Sequence, residues 1–398
     1  MPATETIAAV RLKPGQEDRL RAGHLWIFSN EIGKIEGSVE PGCLAQVFTA
    51  GGQSLGIAFY HPNSLIACRM LSSQVEPIDA GFFRKRLAAA LAYRQRMCPG
   101  ETSYRLCFGE SDGLPGLVAD RYGDVVVLQI FAAGMEARLP LIEGALKELL
   151  EPRGVFLKND HRQRQLEGLP GECRLLSGAV PERVAISEGG LSFLVPIGEG
   201  QKTGHYFDQR ENRAFLRPFL AGRTVLDLYC YTGAFAVNAA KSGAKSVLAI
   251  DSSQAAIDLV RENAKLNGVG DIVNCDEADA ETVLQSFAAG SQPFRPDVIL
   301  LDPPSFVPSK KHLLKALRTY SKLNSLALRA LAPGGLLAAS TCSHHVGREQ
   351  FLDMLRHAQG KAQKSARLVA LRGQAADHPV LLAMPETEYL HFALLEVL

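Results

Sequence analysis

The stretch TVLDLYCYTGAFAVNAAKSGAKSVLAID, residues 224–251, constrains this chain more than any other. Val225 to Leu228 read as a short apolar strand, Cys230 to Gly233 as a turn, Ala234 to Lys241 as a small-residue helix, and Ser246 to Ile250 as a second strand. Parallel strands need such a crossover helix, and open α/β sheets hold ligands in the crevice at the strands' carboxyl ends. Asp227 and Asp251 sit at those ends.

The turn restricts the ligand. A dinucleotide site uses three glycines, G-x-G-x-x-G, to admit a pyrophosphate to the backbone. Only Gly233 is present, behind the bulky Tyr229 and Tyr231. The loop therefore suits a nucleoside without phosphate. Asp251, with Ser252 beside it, is placed to take the two ribose hydroxyls, and Asp227 to take an amino-acid ammonium. S-adenosylmethionine carries both groups.

At 398 residues the chain exceeds what one core usually supports, so two or three domains are expected. No apolar run approaches the roughly 20 residues that span a bilayer. MPATETIAAV has no basic stretch ahead of an apolar core, and the eight cysteines lack C-x-x-C spacing; both features fit a reduced cytoplasm rather than export. Net charge is +1, so any nucleic-acid surface must come from local clustering. A metal is not expected: His344, His345 and His378 have no fourth ligand spaced with them. A homodimer is compatible with the sequence.

Residues 1–72 read as a β-rich unit, with strands at Ala45–Phe48 and Leu55–Tyr60 and the cluster Lys13, Arg19, Arg21, His24 and Trp26 ahead of them. That mixture can meet RNA phosphates and stack on a base, although a single tryptophan also suits a core. The segment from LKPGQEDRLRAGHLWIFSNEI to GIAFYHP resembles the PUA domain, a small RNA-binding pseudo-barrel. Residues 73–190 read as a middle α+β subdomain, with a basic helix over Ala80–Met97, a strand over Val125–Phe131, a helix over Glu136–Leu150 and a strand over Gly154–Lys158. Residues 191–398 then form the ligand domain, entered through GEGQKTGHYFDQRENR, whose Lys202, Thr203 and Arg210 are expected at a substrate-facing edge.

The ligand domain continues as a doubly wound sheet. Ser253–Leu266 is an amphipathic helix closed by Asn267 and Gly268. A weak strand ends in Asp279, which could reach an adenine amino group. Asp297–Leu301 delivers Asp302, Pro303, Pro304, Ser305 and Phe306, and Leu336–Thr341 delivers Cys342. A carboxylate and a thiol at neighbouring strand ends suit methylation of a pyrimidine at carbon 5. That carbon is a poor nucleophile until a thiolate adds at carbon 6, and an acid must hold a proton on the ring. The bland alternative is a structural cysteine. Lys310, Lys311, Lys315, Arg318 and Lys322 follow without an intervening acid, and Lys310 and Lys311 are expected to meet phosphate.

From LKPGQ through GQKTGHYFDQRENR, VLDLYCYTGAFAVNAA, VILLDPPSF, STCS and QAADHPV, the chain resembles the RlmI-type 23S ribosomal RNA cytosine-C5 methyltransferases over nearly its whole length. The resemblance implies a class I methyltransferase fold, S-adenosylmethionine as donor and a cytosine of large-subunit ribosomal RNA as acceptor. It places Cys342 on the family's nucleophile, Asp302 on its substrate-side acid, and Asp251 and Asp279 on cofactor contacts. Other RNA cytosine-C5 methyltransferases carry a second cysteine after the proline of the Asp302 motif; Ser305 stands there here, which leaves the base unassigned. Asp302-Pro303-Pro304 with Phe306 is also similar to the signature of enzymes that methylate exocyclic amines, with the aromatic displaced by one position. A guanine or adenine amino methyltransferase is thus the alternative, and a non-catalytic RNA-binding assembly factor the third reading.

Overall fold

The computed structural model describes residues 7–37, 39–307 and 310–398. The chain divides into two compact units: residues 1–186, 195–207 and 377–387 form the first, and residues 187–194, 208–376 and 388–398 the second.

The first unit holds two sheets. Six strands run in the order Trp26–Phe28, Ile66–Ser72, Ser54–Tyr60, Cys43–Phe48, Ala8–Leu12, Ile32–Glu36. All pair antiparallel except Ala8–Leu12 with Cys43–Phe48. A second sheet orders Glu172–Gly178, Gly154–Asn159, Val125–Ile130, Leu117–Tyr122, Ser103–Phe108. The Leu139–Leu150 helix is the crossover that lets Gly154–Asn159 run parallel to Val125–Ile130. The Ala80–Met97 helix has the expected bounds and is capped by Asp79, whose side chain accepts from Phe82 N. Residue 72 marks a change of sheet rather than of core: Leu44, Ile57, Phe59 and Leu71 pack in one cluster with Phe82, Phe83 and Leu87.

Trp26 is fixed as an anchor. Its indole N–H donates to Glu110 Oε1 at 2.8 Å, and Arg69 bridges that carboxylate and Glu167 at 3.2 Å each. His24 and Phe28 meet it edge-on. Its polar edge is bonded and Arg69 lies 5.8 Å from its ring centroid, contacts that belong to the core reading of the lone tryptophan. The Glu136–Leu150 helix of the sequence reading is two pieces, Ala133–Glu136 and Leu139–Leu150, because Pro140 starts a new helix at its first turn.

The second unit carries a seven-stranded sheet. Its strands are β1 (Thr224–Leu228), β2 (Ser246–Asp251), β3 (Val273–Glu277), β4 (Val298–Leu301), β5 (Leu336–Thr341), β6 (Ala366–Arg372) and β7 (His391–Val397), in the order β3-β2-β1-β4-β5-β7-β6. The first five are mutually parallel, and β7 runs antiparallel to β5 and β6. The helices are α1 (Ala234–Lys241), α2 (Gln254–Leu266), α3 (Ala280–Ala288), α4 (Leu313–Ala330) and α5 (Arg348–Ala362). Order reverses between β1 and β4, which makes their carboxyl ends the switch point where such sheets bind ligands. Strands β1, β4 and β5 are buried on both faces, as their continuous apolar runs require. Among the described residues no helix is long and apolar enough to cross a membrane.

Candidate active site

Asp227 is the most buried acid of the switch point, 1% exposed at the end of β1. Burial, together with the fields of Asp302 and Asp251, pushes its carboxyl well above the ordinary range; a backbone hydrogen bond from Ala236 opposes this. Its Oδ2 is buried without a hydrogen-bond partner. A buried acceptor surrounded by acids calls for a cationic donor, and an ammonium supplies one.

The loop after β1 is bent by its backbone. Tyr229, Tyr231 and Gly233 have φ of 62°, 48° and 83°, the left-handed region that costs non-glycine residues energy and recurs at ligand sites. At Gly233 a Cβ would stand 3.0 Å from Val260 Cγ1, so glycine is required there for both conformation and space. Asp251 ties the loop down: its Oδ2 accepts from Tyr231 N at 2.9 Å and its Oδ1 from Ser253 N at 3.0 Å. Ser252 is exposed beside it. The Tyr229 hydroxyl is pushed up to about 12 by burial and by Asp279, Glu281 and Asp251, so it stays a neutral donor.

Asp279 lies beyond β3, at the N-cap of α3, where its Oδ1 accepts from Thr282 N and Oγ1 at 2.8 Å each. Those bonds hold its carboxyl below the usual range. The expected strand end is thus a helix cap, with one oxygen committed to the helix.

Asp302 and Pro303 follow β4, and Pro304 and Ser305 are exposed. The residue that organises this loop is Tyr320 of α4, wholly buried. Its hydroxyl donates to Pro304 O and accepts from Phe306 N, both at 3.2 Å, and its ring lies 4.9 Å from that of Phe306. Burial raises the Tyr320 hydroxyl, and the charges of Cys342 and Asp302 act in the same direction. Cys342 is half-buried at the end of β5. Two residues earlier, Ser340 Oγ accepts from Gln209 Nε2 at 3.2 Å, and Gln209 Oε1 accepts from Asn212 at 2.7 Å. Asp208 Oδ2 accepts from the Tyr389 hydroxyl at 2.7 Å.

Among the residues expected to touch substrate, Lys202 stands 4.3 Å from the Tyr206 ring centroid. Thr203 is corrected: it is completely buried in the first unit and hydrogen-bonds Asp120 and Tyr122, which removes its hydroxyl from any ligand. Arg210 is 9% exposed and lies 3.6 Å from Glu188, which Arg213 grips through two 2.7 Å bonds. Lys311 is exposed in a short turn ahead of α4, whereas the side chain of Lys310 lies outside the described residues. Lys322 pairs with Glu281. Among the described residues no three metal-ligating side chains gather. Tyr320 and Gln209 were not legible as site residues. Tyr320 looks like one more core position of an amphipathic helix; only the density of polar groups around Gln209 gave a signal.

Comparison with known proteins gives the family. Residues 10–73 match the model of a PUA-like domain, and residues 114–369 that of an S-adenosylmethionine-dependent methyltransferase. Two solved structures share the fold: a chain from Streptococcus mutans assigned as a SAM-dependent methyltransferase (23% identity, TM-score 0.84), and one complexed with SAH (22%, 0.85). Each covers 98% of this chain and 100% of its own. A ribosomal RNA large subunit methyltransferase I from Aeromonas hydrophila is 40% identical over 96% of this chain and 98% of its own. One from Erwinia tasmaniensis is 38% identical over 95% and 96%. The chain belongs to the ribosomal RNA large subunit methyltransferase I family. The family's cofactor is S-adenosylmethionine, and the residues present fit it: the partnerless oxygen of Asp227 suits the ammonium, and the Tyr229–Gly233 bend with Asp251 at its side leaves a cradle without a pyrophosphate-binding glycine run.

Proposed function

We propose that the chain transfers a methyl group to carbon 5 of a cytosine in large-subunit ribosomal RNA, with Cys342 as nucleophile and Asp302 as the acid beside it. The observation that carries this reading is topological: Asp302 follows β4 and Cys342 follows β5, and these two strands are parallel neighbours that end on the same side of one sheet. The substrate follows from the relatives' activity on the large-subunit RNA. Bound S-adenosylmethionine supplies an electrophilic methyl group.

The Cys342 thiolate adds to C6, forming the S–C bond while the C5=C6 electron pair moves toward C5. Asp302 holds a proton at N3, so the ring does not carry the charge alone. With its electron density raised, C5 takes the methyl group. A base then removes the C5 proton, the C5=C6 bond re-forms, and the thiolate leaves. Asp227, Asp251 and the Tyr229–Tyr231 bend orient the donor, and Asp279 stands ready at its adenine end. Lys202, Arg210, Pro303, Pro304, Phe306, Lys310 and Lys311 remain the proposed substrate side.

The test is methyl transfer from labelled S-adenosylmethionine to unmodified large-subunit RNA by the native chain and by Cys342→Ala, followed by nucleoside analysis. The native chain is expected to yield 5-methylcytosine and the variant none. An active variant or an N-methylated purine would instead support amino methylation.

A further inference from the structure

Methyl transfer to carbon 5 leaves a proton on that carbon, and the groups that already have a role do not remove it. Asp302 holds a proton at N3, Asp227, Asp251 and Asp279 serve the donor, and the Tyr320 hydroxyl is bonded to Pro304 O and Phe306 N. Carbon 5 is bonded to carbon 6, which carries the Cys342 sulfur in the adduct. The base therefore has to stand near the end of β5.

Topology brings a buried carboxylate–phenol pair to that point. β7 runs antiparallel to β5, and the pairing ends at Thr341 opposite His391. The carboxyl end of β5 thus lies against the amino end of β7, so Cys342 and Tyr389 leave the sheet at one edge, the edge that the parallel strand β4 gives to Asp302. The Tyr389 ring lies 5.0 Å from that of His344, two residues beyond Cys342. Its hydroxyl donates to Asp208 Oδ2 at 2.7 Å, and the two residues are only 6% and 3% exposed. Three further bonds fix the pair: Gln209 Nε2 donates to Ser340 Oγ at 3.2 Å, Ala375 N to Asp208 O at 2.8 Å, and Tyr389 N to Gln374 Oε1 at 3.2 Å. Residues 208–209 are thereby tied to the strand that delivers Cys342. Such a pair can take up a proton without forming a free phenolate, because the phenol oxygen accepts while its own proton passes to the carboxylate.

We propose that the Tyr389–Asp208 pair is the base that removes the C5 proton. The proposal rests on the cytosine-C5 reading and deepens it. In the methylated adduct the C5–H bond breaks, and its electron pair re-forms the C5=C6 bond as the C6–S bond breaks and Cys342 leaves as thiolate. The proton goes to Tyr389 Oη, whose own proton moves along the 2.7 Å hydrogen bond to Asp208 Oδ2. The proton held at N3 returns to Asp302. One proton has left carbon 5 and one has arrived on the Asp208 carboxylate, which passes it to solvent before the next turnover.

The test uses the full-length protein and large-subunit RNA transcript tritiated at cytosine C5. It follows methyl transfer, tritium release and denaturant-resistant protein–RNA adduct together. Tyr389→Phe keeps the ring and Asp208→Asn keeps an acceptor for the hydroxyl, and calorimetric affinity for S-adenosylmethionine reports that each variant is folded. The native chain is expected to release tritium in step with methyl transfer. Each variant should instead transfer no more than about one methyl group per protein, retain the RNA as an adduct, and release tritium about a hundredfold or more slowly. Adding Cys342→Ala to either variant should abolish the adduct. A merely structural role would lower methyl transfer and tritium release together without any adduct, and that result would overturn the proposal. So would an adduct that accumulates in His344→Gln but not in Tyr389→Phe, since His344 would then be the base. Failure of the methylation reading is distinct: the native chain would form no 5-methylcytosine and no variant would form an adduct.

Discussion

Asp227 shows how a single residue sets stability against function. Burial and two neighbouring carboxylates raise its carboxyl in the free protein, so the folded state favours the protonated form. A raised folded pKa gives stability that is present at low pH and is lost as pH rises through that value. An ammonium ligand requires the opposite form, since it pairs with the ionised carboxylate. Binding therefore releases a proton, and cofactor affinity should fall as pH drops below the free protein's Asp227 pKa. Calorimetry of S-adenosylmethionine binding in buffers of differing ionisation enthalpy, repeated from acid to neutral pH, checks this; no proton release at any pH in that range would refute it. Asp227→Asn should raise the melting temperature of the ligand-free protein at pH 7 while weakening the cofactor by at least about tenfold, a trade of stability for function.

At the level of elements, the sequence was most readable where one period governed a whole segment. α1, the Ala80–Met97 helix and β5 match their expected bounds, because small-residue runs, a capping Asp79 and a continuous apolar run leave no competing pattern. Strands with little apolar contrast escaped: β6 leaves Leu368 and Val369 exposed at the sheet edge, so no alternation marks it. The expected site residues Asp227, Asp251, Asp302 and Cys342 all fall at or just beyond strand ends of one sheet, since strand ends can be read from runs. Which helix supports them could not be read. Tyr320 sits in α4 at a core position, and its role comes from where its hydroxyl meets the Pro304–Phe306 backbone, a contact across 14 to 16 residues. Tyr320→Phe keeps the ring and loses those two bonds. It should cost stability only about 1–2 kcal/mol, lower kcat about tenfold or more, and leave the KM for S-adenosylmethionine within about twofold. A loss confined to KM would make the loop's anchoring irrelevant to the chemical step.

For the molecule as a whole, the expected contiguous division at 72 and 190 met a chain that crosses between its units. Residues 187–194 belong with the second unit, 195–207 return to the first, and 377–387 return again. Composition cannot reveal this, because the returning segments carry no shift in residue type; only their buried polar bonds do. Thr203 is held by Asp120 and Tyr122, and Lys158 Nζ donates to Gly198 O at 2.6 Å. The QAADHPV segment, one of the stretches behind the family resemblance, is anchored in the same way. Asp377 is completely buried; its Oδ2 accepts from Arg105 N at 3.0 Å, its Oδ1 lies 2.9 Å from His378 Nδ1, and its carbonyl accepts from the fully buried Arg94 at 2.8 Å. Arg94 also pairs with Asp112 and donates to Arg105 O at 2.8 Å. Removing the Asp377 carboxylate leaves a buried backbone N–H and a buried imidazole without their acceptor, and each orphaned group costs about 1–3 kcal/mol. Asp377→Ala should therefore destabilise the first unit by about 2–5 kcal/mol, read as a lowered urea midpoint on a probe in that unit. Asp377→Asn keeps one acceptor oxygen and should recover part of the loss. If both variants unfold with the native midpoint, the segment's place in the first unit does not depend on its carboxylate, and the Arg94 contact to its backbone would have to hold it alone.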